Sequence, residues 1–140
     1  MSVSLSAILD RSDVPALEAL NTALKGLKFK LSVDDAYVPF ETSGYLPCTL
    51  NGEDGGLNIR FEAAEAYLGQ HPQSRSEAGA RDTLIALRSG GDPREDVCVL
   101  MIAAALAHDF GAIVHDPKKN VLLPAEKLVS QARGKFAELD

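Results

Sequence analysis

Two histidine-aspartate doublets, His108-Asp109 and His115-Asp116, stand seven residues apart near the end of this chain. Imidazole and carboxylate together can ligate a divalent metal, and a metal-bound water is a nucleophile at neutral pH. The placement argues for structure instead. The first doublet falls where a helix should end, where a cationic histidine complements the helix dipole. Asp116 precedes Pro117, a common turn opening. The third histidine, His71, reads as part of a loop, so no further ligand spacing is present and we expect no metal.

The other reactive residue types fare no better. Arg88-Ser89-Gly90-Gly91-Asp92 precedes a helix, whose first amides can cradle phosphate. It lacks the Lys-Ser/Thr ending of a P-loop, and Asp92, Glu95 and Asp96 already fill the positive end of that helix. Cys98 lies in the most apolar stretch, where burial makes a thiol inert. Cys48 follows Pro47 in an edge-like strand with no histidine near it in sequence. The carboxylate pairs Asp34-Asp35, Glu53-Asp54 and Glu95-Asp96 are adjacent, so their side chains diverge rather than converge for acid–base work. The residues therefore favour a binder over an enzyme, with no catalytic set and no cofactor. A small metal-dependent hydrolase using His108 and His115 stays open as the alternative.

Charge points the same way. Fourteen basic against twenty acidic residues give a net −6, which excludes the basic footprint of nucleic-acid binding and disfavours an anionic membrane surface. From Asp34 to Glu65 there are seven acids and only Arg60 as a base. That one stretch carries the surplus of the whole chain. Tyr37, Phe40, Tyr45 and Phe61 lie within it. Rings anchor protein interfaces and charges set on-rate and selectivity, so we expect a partner face made by Asp34, Asp35, Tyr37, Glu41, Tyr45, Glu53 and Asp54. The competing expectation is that Tyr45 and Phe61 face each other inside the sheet.

The elements that must position these residues read as one α+β domain over residues 1–140. Val3 to Leu9 alternates as a strand. Asp13 and Pro15 open a helix carrying Leu17, Leu20, Leu24 and Leu27, with Gly26 at its end. Lys28 to Val33 alternates strictly, and Tyr37 to Phe40 suggests a short edge strand. Tyr45–Leu50 and Leu57–Ala63 flank Asn51 to Gly56, a hairpin with a loop longer than two residues. Gly69 to Gly79 has no periodicity and reads as a loop. Thr83 to Leu87 is a buried strand. Asp92-Pro93-Arg94-Glu95 then opens the 93–110 helix, apolar on all sides and so central, with Glu95 as capping-box partner. Two short strands, Ala112–Val114 and Val121–Leu123, precede a helix after Pro124. This predicts a mainly antiparallel sheet packed with three helices. Pro39 and Pro47 mark expected edges, where a homodimer could pair.

Ser43 to Pro47, Gly52-Glu53, Leu57 to Glu62, Arg81 to Asp92, Ala103 to Leu106 and Gly111 to Pro117 together resemble a group of small bacterial proteins. Some of these are similar to immunity proteins that neutralise the toxins of competing cells. The likeness covers about residues 43 to 133. It implies a non-enzymatic inhibitor of a cognate protein toxin, which the charge makes a basic one. No catalytic residue is implied, because immunity groups share none. Two cysteines and the absence of a basic leader before an apolar run suggest a reducing, cytoplasmic setting.

Overall fold

Eleven consecutive residues, Asp96 to Leu106, are buried in one helix, and the rest of the fold is arranged around it. The structure, a computed structural model, describes residues 3–139. Its strands are β1 (Ser4–Leu9), β2 (Leu31–Val33), β3 (Gly44–Leu50), β4 (Glu53–Ala63), β5 (Thr83–Arg88), β6 (Ile113–Asp116) and β7 (Val121–Leu123). Its α-helices are α1 (Leu17–Gly26), α2 (Glu65–Gln70), α3 (Pro72–Ala78), α4 (Pro93–Asp109) and α5 (Ala125–Ala137). The strands form one antiparallel sheet in the order β2-β3-β4-β5-β1-β6-β7. The fold is α+β. No helix among the described residues is long and apolar enough to cross a membrane.

Alternation along the strands decides what each face holds. Leu5, Ala7 and Leu9 of β1, Leu46, Cys48 and Leu50 of β3, and Ile85 and Leu87 of β5 point to one face and join α1, α4 and α5 in the main core. Ile8 and Leu84 point the other way and meet Ala64, Leu68 and Ala78 of the α2–α3 region. Those two short helices cover only part of this second face. The remainder is open.

α4 starts on the predicted cap and proline, but Glu95 does not serve as the capping-box partner of Asp92. Asp92 caps it by accepting from the Arg94 N–H at 2.8 Å, and Pro93 takes the first position. Glu95 reaches past the cap to accept the Gly90 N–H at 2.6 Å.

Several expectations need correction. The segment from Gly69 to Gly79 is not a loop: it holds the end of α2 and all of α3, split at His71-Pro72. Each helix is under two turns, too short to write a 3.6-residue period, and burial against Ile8 and Leu84 stabilises them. The α-helices among the described residues thus number five, not three. Tyr37 to Phe40 is a turn rather than a strand; Glu41 and Thr42 both bond the Val38 carbonyl. Asp13 sits in a 3-10 turn, and Ala16 stands at the start of α1.

The β3–β4 loop is shorter than expected. Leu50 pairs with Glu53, leaving Asn51-Gly52 as a two-residue turn with both φ values positive, 53° and 80°. That is the geometry Asn-Gly favours. Pro47 stands where the β2 ladder stops, so Gly44–Pro47 have a neighbouring strand on one side only although β3 as a whole is not an outermost strand. Its strand is flanked by β4 and, from Cys48 on, by β2; the edges are β2 and β7.

Candidate functional site

The acidic residues form two groups, one at the β3–β4 hairpin tip and one in the connection from β2 to β3. Glu53 and Asp54 follow the hairpin turn and pair with Leu50 and Thr49. Asp34 ends β2, its N–H bonding the Pro47 carbonyl at 3.1 Å, and its carboxylate turns the chain by accepting from Ala36 N at 2.9 Å. Asp35 and Glu41 lie in the connection leading back to Gly44. Asp34, Asp35, Glu41, Glu53 and Asp54 are all exposed. Glu62 and Glu65 lie elsewhere: Glu62 pairs with Arg60 at 2.6 Å, and Glu65 begins α2.

Two bases stand beside Glu53 and Asp54 at the hairpin tip. Lys30 accepts the Asn51 N–H on its carbonyl, which sets its exposed side chain beside the turn. Arg94 of α4 donates to the Leu50 carbonyl at 2.6 Å and to the Asp54 carbonyl at 2.9 Å. Its guanidinium holds the hairpin tip from below.

The rings divide. Tyr45 is 55% exposed and faces the open side of the sheet, opposite Asn58, with its hydroxyl on the Gly55 carbonyl at 3.0 Å. Tyr37, expected in the partner face, is only 3% exposed; its hydroxyl donates to the Pro15 carbonyl at 2.8 Å, and burial pushes its ionisation well up. It anchors the turn and is withdrawn from the face. Phe40 covers Phe61 at 5.6 Å between ring centres, with the Arg11 guanidinium 3.9 Å above the Phe40 ring. Tyr45 and Phe61 do not meet, because they occupy opposite faces of the sheet.

The open side carries two polar rows that sequence alone did not reveal. One runs Tyr45, Asn58, Arg88, Ser4 across four strands; the next runs Arg60, Ala86, Ser6, His115. Between them lies a depression of about 330 Å³ lined by Ser4, Ser6, Asn58, Arg60 and Arg88. Each residue sits on the polar phase of its strand's alternation. The alternation was the available signal, but joining the rows needs the strand order.

His115 closes this region. It is 1% exposed, between the Tyr67 hydroxyl at Nδ1 and Asn120 Oδ1, 2.9 Å from Nε2. An amide oxygen accepts only, so Nε2 carries the proton and Nδ1 accepts from Tyr67. Both ring nitrogens are thereby occupied, leaving no lone pair for a metal or for proton transfer. Burial raises the Tyr67 ionisation against a hydrogen bond from Ser6. His71 stacks 4.4 Å from Tyr67 and 4.9 Å from His115; desolvation, then the neighbouring imidazole, pulls its pKa down.

No family model, curated protein or solved structure matches this chain. What the residues can do therefore rests on their geometry. His108 is exposed at the end of α4 and bonds its neighbour Asp109 at 2.6 Å, on the side of the sheet away from His115. Among the described residues, no three of His, Cys, Asp and Glu converge as a metal site requires. Asp92, Glu95 and Ser89 occupy the amides around the start of α4. Cys48 and Cys98 are free and buried side by side.

Proposed function

We propose that the protein is a non-enzymatic, immunity-type binder that neutralises a basic protein toxin at the β2–β3–β4 margin. One observation carries the reading: Asp34, Asp35, Glu41, Glu53 and Asp54 are all exposed, Asp34 beside Pro47 and Glu53-Asp54 at the tip of the same β3 strand, which also carries exposed Tyr45. A field of one sign steers an oppositely charged partner, and an exposed tyrosine supplies the contact area that charges alone do not. The Arg94 contacts hold the hairpin tip in place before binding, which lowers the ordering cost. The cytoplasm is the compartment proposed for this encounter.

The test is co-expression with the product of the adjacent gene. Growth rescue of a poisoned host and co-purification of the pair are expected. Association should slow as ionic strength rises. Replacing Glu53 and Asp54 together with lysine should cut the low-salt association rate roughly tenfold and flatten its salt dependence. Absence of rescue and of a complex would sink the reading; an unchanged association rate in the double variant would remove the tip from it.

A further inference from the structure

Cys48 faces the helix side of β3 and stands directly opposite Gly55 of β4 in the ladder. A Cβ added at Gly55 would lie 3.1 Å from the Cys98 sulfur. The missing side chain is therefore the space that Cys98 of α4 fills, and it fills it on the very residue pair that carries Cys48. Directly opposed strand residues are about 5 Å apart at Cα, so the second sulfur arrives within reach of the first. Cys48 Sγ is also 3.8 Å from the Leu46 carbonyl.

We propose that Cys48 and Cys98 are a modification site: a reversible intramolecular disulfide, formed by hydrogen peroxide, that ties α4 to the β3–β4 hairpin. Both sulfurs are buried, so the reaction proceeds when local opening between the hairpin and α4 admits the peroxide, and Cys98 attacks first. Hydrogen bonding from Cys48, the Gly56 N–H and the Arg94 charge all favour its thiolate, against burial and Glu95, while Cys48 holds its proton. The Cys98 thiolate takes one peroxide oxygen: an S–O bond forms, the O–O bond breaks, and hydroxide leaves to become water. The Cys48 sulfur then attacks the Cys98 sulfur. The S–S bond forms, the S–O bond breaks, and the departing hydroxide takes the Cys48 proton as a second water. Two electrons pass from the sulfurs to the peroxide, and a dithiol reductant reverses the change.

The site stands apart from the toxin-binding reading and its test reads bonds alone. Reduced protein is treated with hydrogen peroxide, unfolded, alkylated with N-ethylmaleimide and mapped as peptides without reduction. The expected product is a single chain lighter by two hydrogens, with the Cys48 and Cys98 peptides linked and no alkylation at either. Dithiothreitol should restore both alkylation sites. The oxidised form should also melt roughly 5–10 °C higher than the reduced form, because the bond closes a loop of about fifty residues. A Cys48→Ala variant should stop at a Cys98 sulfenic acid trapped by dimedone. Two alkylated cysteines after treatment, sulfinic acid at Cys98 in the wild type, or a bond between two chains would each overturn the assignment. The wild-type peptide map decides the matter even where the variant does not fold.

Discussion

Tyr45 reaches across Gly56 to set its hydroxyl 3.0 Å from the carbonyl oxygen of Gly55. The exposed ring is fixed by two glycines of the facing strand rather than by side-chain packing. Gly56 adopts φ 156°, and a Cβ there would collide with the Tyr45 hydroxyl and lie 2.8 Å from the Leu46 carbonyl. Gly56→Ala should cost about 2–4 kcal/mol, from backbone strain together with overpacking. Gly134, inside α5 with nothing within 4 Å of an added Cβ, is the control. Gly134→Ala should stabilise by about 0.5–1 kcal/mol. Urea unfolding of both variants checks the pair, and equal signs would refute the argument.

Two buried serines should respond in opposite directions. Ser89 Oγ donates to Asp96 and accepts from the Val3 N–H at 3.0 Å and the Gly91 N–H at 3.3 Å. Ser89→Ala strands a buried carboxylate and two amides, and should cost about 2–3 kcal/mol. Ser74 Oγ, buried in α3, has no hydrogen-bond partner among the described residues. Ser74→Ala removes an unsatisfied hydroxyl and improves helix propensity, for a gain of about 1 kcal/mol. Thermal melts of the two variants give the comparison directly.

These serines also show what could be read without coordinates. Ser4 and Ser6 fall on the polar phase of β1, so their side of the strand was legible, and so was α4 from its cap and its all-round apolar face. Ser74 was not. Its helix has seven residues and exists because Ala78 and its neighbours bury against Ile8 and Leu84, a tertiary effect with no local period. Tyr37 failed for a related reason: its ring falls in a turn, where alternation cannot say which way it points, and Pro15, 22 positions away, captures its hydroxyl. The acids were legible as a run in sequence, but that Asp34 comes to lie beside Pro47 of β3 follows from β2 pairing with β3.

His71 should titrate below the ordinary 6.5 of imidazole, since partial desolvation and the His115 ring both disfavour its charged form. The unfolded chain then binds this proton more readily than the folded one. The His71 contribution to stability is full above about pH 6.5 and is lost as pH falls through the window between that value and its lower folded pKa. Proton NMR of the imidazole resonances should give a midpoint under 6.5 in the wild type. His115→Gln should move it partway back, because the neighbouring imidazole goes while desolvation stays. A midpoint at or above 6.5 in the wild type contradicts the stacked arrangement.

Arg94 joins the first turn of α4 to the tip of the β3–β4 hairpin through two backbone carbonyls, those of Leu50 and Asp54. Charge-assisted bonds of this kind are each stronger than a neutral one, and only an arginine fork reaches both acceptors at once. Arg94→Ala should therefore destabilise the fold by about 2–3 kcal/mol. The loss should concentrate locally: hydrogen exchange at Leu50, Glu53 and Asp54 should accelerate at least tenfold, while β1 and β5 amides change only with global stability. Arg94→Lys keeps the charge but loses the fork, so it should recover less than half of the protection. If Lys restores the tip fully, the guanidinium acts through its charge on Glu53 and Asp54 and not through the carbonyls.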